Sequence, residues 1–461
     1  MPYQDFRQFL DALRQHGELI DIDRPVALAD IGKAMKQSYR RGGPALMFNK
    51  NGTDFPLVCG LYATRGKALL AFEADERTIL QKVLAGLGKP IAPNISKAAA
   101  PCQEVLIEGS AIDIARFPIP TYSPRDGGPY ITPGIVVSKD PETGVPDIGH
   151  YRFLILGKDT FSFSAQPNHR FGKNLAKCQR LGIKPRAALV IGVDPILAYA
   201  CQVQVSDATD DWAVAGGLRG APVELVRART CDLEVPASSE VVIEFEVDMD
   251  KTVMEGPLGE YTGYYTPPSL KPIGRITAIT HRRNPIFQGL LTGKPVTENH
   301  ILKQIPLEAS FSEFLKRQFP SVERVSLRLS SSVSNYIVIA MKPRYAGEVR
   351  QAILASIASP LRPKWVIAVD TDIDVHDSAE VEWAMSFRVQ PQRDVFVIDQ
   401  TPRAGCDPSV ANPDDRPVTE LLSSAVGIDA TMPVGEFFPE VADVPGWREF
   451  ELPELDSGRR N

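Results

Sequence analysis

The sequence predicts an α/β protein of several domains, with a closely stranded β domain set between two mixed α/β regions. Three observations carry this reading. From about Cys102 to Thr280, short runs rich in Val, Ile, Phe and Tyr follow one another with few helical stretches between them. After Asn299, helical and strand-like patterns alternate. A chain of 461 residues is long enough for about two to four domains and at least one substantial core. The expected divisions are 1–105, 106–298 and 299–461.

Residues 4–15 place Phe6, Phe9, Leu10 and Leu13 at helical spacing, and Gly17 ends that helix. ELIDIDRPV then alternates like a strand. In ALMFNKNGTDFPLVCGLYAT two apolar runs flank Asn-Gly, which signals a hairpin. A helix is expected from about Asp75 to Leu87. The central runs are EVLIEG, GIVVSKD, YRFLILGKDTFSFSA, RAALVIGVDP, VELVRARTCDLEVP, SEVVIEFEVDM and IGRITAITHR. Their close spacing favours an antiparallel barrel or sandwich over a dinucleotide-binding unit, with one helix from Asn168 to Leu181 inserted. Neither GxGxxG nor a P-loop is present. Beyond Asn299, SFSEFLKRQFP, GEVRQAILASIA and DSAEVEWAMSFRV read as helices, and VERVSLR, SNYIVIAMK and KWVIAVDTDID as strands. Thr401 to Asn461 is rich in Pro, Asp and Glu; it is either a tail packed across a partner subunit or a frayed end.

Bulk chemistry removes several classes of function. Fifty-one basic against 57 acidic residues leave a net charge of -6, without the basic footprint of a nucleic-acid binder. The cluster Arg170, Lys173, Lys177 and Arg180 suits either one small anion or a solvated helix face. Six scattered cysteines form no CxxC pair, so a zinc site or disulfide scaffold is not expected. No apolar run reaches the roughly 18–20 residues that cross a bilayer, and the N-terminus lacks a signal peptide's apolar region. A cytoplasmic location is the expectation.

The chemistry-bearing stretch is EGPLGEYTGYY, with Glu255 and Glu260 five residues apart. Pro257 blocks a regular helix, and a regular strand would send the two carboxylates to opposite faces. A loop across the mouth of a sheet would bend both toward one cavity, giving the raw material of general acid chemistry. The alternative is a pair of solvated loop glutamates. PDIGHYRF adds Asp147, His150 and Arg152; an arginine within an apolar strand requires an anionic partner. Asp147, His169 and Glu224 would suit a hard or borderline divalent ion, although their spacings of 22 and 55 residues are not diagnostic. Taken alone, His169 reads as a surface or capping histidine. Asp370, Asp372 and Asp374 alternate like a cation site or like solvated acids ending a strand. Lys364 either meets a phosphate or faces water, and His300 either lines a substrate pocket or begins a helix.

EGPLGEYTGYY resembles the signature of the UbiD-type, prenylated-flavin-dependent decarboxylases. The resemblance extends along nearly the whole chain through DGGPYIT (126–132), DIGHYR (147–152), IGVDP (191–195), AVAGGLRGAPVELVRART (213–230), CDLEVPASSEVVIEFEV (231–247) and KWVIAVDTDIDVHDSAEVEWAMSFRVQP (364–391). It implies a split-barrel cofactor domain between N- and C-terminal α/β regions, with a hinge that closes the site and a C-terminal helix reaching a neighbouring protomer in a homodimer or hexamer. It further implies reversible decarboxylation with prenylated FMN as electron sink. Arg152, Glu255 and Glu260 match the catalytic positions, Glu260 being the proton donor. Asp147, His169 and Glu224 match a manganese site on the cofactor phosphate, with potassium nearby. Asp147 stands where the family commonly has asparagine. Lys364 matches a lysine near the phosphate and His300 a substrate-contacting histidine. A flavin prenyltransferase would supply the cofactor. The family's substrates include cinnamic-type acids, hydroxybenzoates, polyprenyl-hydroxybenzoates and heteroaromatic acids. FQGLLTGKPVTENHILKQIPLEA looks most like the heteroaromatic branch (pyrrole, furan or indole carboxylates). A conventional-flavin oxidoreductase or an inactive assembly protein is the rival reading, and no GxSxG, zinc or dinucleotide motif supports the former.

Overall fold

A computed structural model describes residues 3–402, 406–410, 412, 416, 420–442, 444–446 and 450. The expected C-terminal tail is thus described in part, and its stretch Leu422–Ala430 is a strand of the C-terminal sheet. At the other end, helix Phe6–Gln15 begins where Asp5 accepts a hydrogen bond from the Gln8 amide, and it buries Phe6, Phe9, Leu10 and Leu13 as the spacing requires. The expected hairpin forms: Ala45–Phe48 pairs antiparallel with Leu57–Cys59. Leu19–Ile22 and Phe287–Gln288 join it as parallel outer strands. The helix expected from Asp75 starts only at Ile79. Asp75 instead closes a turn, accepting from the Arg77 and Thr78 amides and from the Thr78 hydroxyl.

The centre is a closed antiparallel barrel. Its strands run Val241–Glu255, Arg186–Ile191, Tyr130–Lys139, Pro146–Ile155, Thr160–Phe163 and Ser269–His281, and pairing of the first with the last closes the ring. Val105–Glu108 extends one edge. Closure removes the exposed strand edges that a sandwich would keep. Phe153, Phe161, Phe163 and Phe245 pack ring to ring inside, with centroids 4.8–6.4 Å apart. The segment VELVRARTCDLEVP is not part of the barrel. It splits into Glu224–Arg227 and Glu234–Pro236, which pair with Asn94–Ser96 in a separate sheet. Its buried Leu225, Val226 and Val235 join the apolar cluster shared with the N-terminal helices instead.

The long helix Glu298–Gln318 leads into the C-terminal module and starts well upstream of the expected SFSEFLKRQFP. Pro306 masks its helical reading in the sequence, while a capping box of Thr297 and His300 fixes its start. The module's sheet runs Val322–Leu327, Tyr336–Met341, Trp365–Val369, Leu422–Ala430 and Val395–Pro402, parallel at its centre. Helices Glu348–Ile357 and Ser378–Arg388 cover it. Among the described residues no helix is long and apolar enough to cross a membrane.

Candidate active site

Arg152 sits on Pro146–Ile155. Its neighbours Tyr151, Phe153 and Ile155 face the aromatic core, so strand alternation turns Arg152 outward from the barrel. There its Nε donates to Glu255 Oε1 (3.2 Å), one terminal nitrogen donates to Glu255 Oε2 (3.3 Å), and the other donates to Glu260 Oε1. The two carboxylates thus share one guanidinium, and the solvated-loop alternative fails. Glu255 ends its strand at 1% exposure and Glu260 is 8% exposed. The Tyr130 hydroxyl donates to Glu255 Oε1 at 2.9 Å. Burial works against the charge on Arg152, but the Glu260 and Glu255 carboxylates outweigh it and hold the guanidinium above its ordinary value. Burial, then the Glu255 charge, pushes the Tyr130 hydroxyl up and keeps it a donor.

The loop carrying Glu260 is built on a backing strip from DGGPYIT. Asp126 accepts from the amides of Gly259 (3.0 Å) and Ser123 (2.8 Å), and the Gly127 amide donates to the Pro257 carbonyl (2.8 Å). A Cβ on Gly127 would lie 2.5 Å from the Gly256 oxygen, so this close approach requires glycine. The Glu260 amide then donates to the Tyr264 carbonyl, tightening the turn.

His300 is fully buried behind this loop. Its Nδ1 accepts from the Thr297 amide (3.0 Å), which leaves Nε2 to donate to the Tyr261 carbonyl (2.7 Å). Burial lowers its pKa to about 4, so the ring is neutral. Neither nitrogen remains for a substrate, and the expectation of a substrate contact gives way to a positioning role on Tyr261. His150 is likewise pushed down to about 4 by burial, and Gln202 hydrogen-bonds its Nδ1 at 2.8 Å.

At one end of the same strand, Asp147 and Asp211 flank Arg170. Asp211 accepts from Arg170 Nη1 at 2.6 Å, and Asp147 Oδ1 lies 3.6 Å from Arg170 Nε. Ser138 donates to Asp147 and the Ile148 amide to Asp211. Burial pushes the Asp147 carboxyl up to about 6, with Arg170 opposing and Asp211 adding to the rise. His169 is the exposed N-cap residue of Arg170–Leu181, its pKa lowered by partial desolvation of the ring and by the charges of Lys303 and Lys173. Glu224 is exposed at the start of the central strand of the small separate sheet and accepts from Asn94 at 2.7 Å. Asp211 is the acid that shares Arg170 with Asp147. Among the described residues no group of three or more His, Cys, Asp or Glu side chains is poised as a complete metal cage.

The remaining candidates have protein partners. Lys364 donates to Asp407 (3.0 Å) and Ser409 (2.6 Å), tying down the 406–410 segment. Asp370 and Asp372 grip the buried Arg388 at 2.6 Å each, so that pair is an arginine clamp. In the basic cluster, Arg170, Lys173, Lys177 and Arg180 pair with Asp211, Asp207, Asp140 and Glu142. Tyr130, Asp211 and Lys303 escaped the sequence reading. Asp211 did carry a signal, an acid heading the helix DWAVAGGLR after the N-cap Asp210.

A barrel whose outer face presents an arginine bridging two buried glutamates, between two α/β regions, defines the architecture of a carboxy-lyase. Comparison with known proteins agrees. The N-terminal, Rift-related and C-terminal domains of 3-octaprenyl-4-hydroxybenzoate carboxy-lyase match residues 10–87, 94–295 and 300–430. An uncharacterized protein of Archaeoglobus fulgidus is 32% identical over 455 residues, covering 94% of this chain and 92% of that one. The UbiD-class enzyme HmfF from Pelotomaculum thermopropionicum, in complex with FMN, superposes with a TM-score of 0.89 at 30% identity, covering 97% of this chain and 99% of the other. Sedimentibacter hydroxybenzoicus vanillic acid decarboxylase in its open form superposes at 0.87 and 29% identity, covering 97% of each chain. Klebsiella pneumoniae 3,4-dihydroxybenzoic acid decarboxylase superposes at 0.86 and 25% identity, covering 97% and 99%. The chain belongs to the UbiD family and is a carboxy-lyase of that class.

Proposed function

We propose that this protein reversibly decarboxylates an aromatic acid with prenylated FMN, and that hydroxybenzoate-type acids are its substrates. The observation that carries the reaction is Arg152 bonded at once to Glu255 and Glu260. Substrate class rests on the vanillic and 3,4-dihydroxybenzoic acid decarboxylases among the structural relatives. These favour hydroxybenzoates over the heteroaromatic acids suggested by the sequence. HmfF has been solved with prenylated FMN as well.

The donor set fits that cofactor. Two buried carboxylates, Asp147 and Asp211, share the single cation Arg170, and burial raises both pKa values. That surplus of acid suits a divalent ion on a phosphate, with the His169 imidazole as a nitrogen donor; we read the ion as manganese, with potassium as a companion. When bound, the prenylated flavin supplies the electron sink for the pair left as carbon dioxide departs. Arg152 orients the substrate carboxylate and, together with Tyr130, holds Glu255 in place. Glu260 delivers a proton to the ring carbon that has lost its carboxyl group and is recharged from solvent. Read in reverse, Glu260 takes up the ring proton. A flavin prenyltransferase supplies the cofactor, and the protein assembles as a homodimer or larger oligomer.

The test is enzyme co-expressed with a flavin prenyltransferase, its bound flavin identified by intact mass and absorption. Carbon dioxide release is then measured from hydroxybenzoic, benzoic, cinnamic, pyrrole, furan and indole carboxylic acids. Turnover led by hydroxybenzoates supports the reading. Turnover led by a heteroaromatic acid restores the earlier alternative, and unmodified FMN with redox activity overturns the reaction.

A further inference from the structure

Among the described residues, nearly every buried or half-buried cation has an oxygen partner. Arg388 has Asp370 and Asp372, Arg219 has Asp194, Arg170 has Asp211, and Lys67 donates to the Gly43 and Gly60 carbonyls. Lys303 differs. It lies on helix Glu298–Gln318, one turn beyond His300, and is partly buried. Its ammonium rests 4.4 Å from the centroid of the Tyr261 ring. Among the described residues it has no hydrogen bond or ion pair with any oxygen. An aromatic face compensates a desolvated ammonium only in part, and three N–H donors remain unassigned.

Position makes this unspent charge functional. Tyr261 directly follows Glu260, the proton donor of the proposed reaction, and its carbonyl is held by His300 from the same helix. Burial opposes the charge on Lys303, Cys406 and Glu260 favour it, and Lys303 in turn acts on His169 and His300. The guanidinium of Arg152 lies across Glu260. Arg152 is thus bonded to Glu260 while Lys303 packs on the ring of the next residue; one cation is engaged by carboxylates, and the other has no oxygen acceptor among the described residues.

We propose that Lys303 is a specificity-determining residue whose ammonium receives the phenolic oxygen of a hydroxybenzoate, while the Arg152 side of the site receives the carboxylate. This rests on the aromatic-acid reading above and deepens it. A ring without that oxygen would leave the ammonium desolvated and unsatisfied, which is how buried polar groups discriminate strongly between close analogues.

The experiment measures dissociation constants of 4-hydroxybenzoate, 3,4-dihydroxybenzoate and benzoate with the flavin-loaded holoenzyme, in wild type, Lys303→Met and Lys303→Arg, alongside flavin content by absorbance. Wild type should prefer the hydroxylated acids about 10- to 100-fold, the range for a hydrogen bond to a charged group. Lys303→Met should lose the preference at unchanged flavin content, binding benzoate at least as tightly as wild type does, and Lys303→Arg should restore part of the preference. Equal weakening of all three acids by Lys303→Met overturns the proposal in favour of a carboxylate contact. Loss of flavin overturns it in favour of a cofactor contact. A wild type that does not discriminate overturns it while leaving the decarboxylase reading intact; that reading fails separately, if no aromatic acid releases carbon dioxide.

Discussion

Replacing Arg152 with methionine removes the cation from two carboxylates that have little water to fall back on. The Glu255 and Glu260 side chains are 1% and 10% exposed, against 21% for the arginine. Tyr130 still donates one hydrogen bond to Glu255, but a hydroxyl does not neutralise a charge. Removing one member of a buried ion pair costs about 3–5 kcal/mol, because the other is left uncompensated, and two acids are left here. Replacing all members by neutral groups is often close to neutral. Arg152→Met should thus destabilise the barrel by about 3–5 kcal/mol. The triple variant Arg152→Met, Glu255→Gln, Glu260→Gln should recover at least half of that loss while remaining inactive. A chain of several domains does not unfold in one step, so the suitable assay is amide hydrogen exchange on peptides spanning Pro146–Ile155 and Val241–Glu255. A single variant within about 1 kcal/mol of wild type, or a triple variant no better than the single, would refute the reasoning that the arginine is held by buried charge.

Glu260→Gln should lower carbon dioxide release and solvent-proton exchange by about 10²- to 10⁴-fold, the contribution of a positioned general acid, with the flavin retained; exchange at the wild-type rate would remove Glu260 from that role. Asp211→Ala should reduce manganese and flavin content of the purified enzyme, measured by elemental analysis and absorbance; unchanged contents of both would remove Asp211 from the proposed ligand set. Glu308 concerns stability. It is fully buried, its Oε2 accepts from the Leu327 amide, its Oε1 lacks a hydrogen-bond partner among the described residues, and burial pushes its carboxyl up to about 7. Between pH 4.5 and about 7 the folded state holds a proton that the unfolded state has released, so stability falls as pH rises through that window, by about 3 kcal/mol in all. Glu308→Gln should flatten this dependence and be at least as stable as wild type at pH 8, as read by thermal unfolding across pH; an unchanged slope would mean that Arg65, 3.9 Å away, already neutralises the acid.

The helical spacing of Phe6, Phe9, Leu10 and Leu13, the apolar strands of the barrel and the Gly-Pro interruption in EGPLGEYTGYY were all legible in the chain, because they follow from local periodicity and backbone chemistry. So was the demand of Arg152 for an anion, since a charge in an apolar strand cannot stay unpaired. Which acids answer such a demand was not local. Asp147 met Asp211 across Arg170 because folding brought a helix start, 64 positions along the chain, to the strand end. His300 became a backbone clamp only once its helix lay behind the Glu260 loop.

What sequence alone determined here is the inventory: which segments bury themselves, where the backbone must bend, and which side chains bring charge into apolar surroundings. Tertiary structure decided the partnerships, joining Arg152 to two acids more than a hundred residues away and leaving Lys303 to a tyrosine ring. Secondary structure is set by interactions spanning a few residues, whereas electrostatic pairing depends on distance in space and on exclusion of water. Only the closed barrel and the loop folded across it supply both.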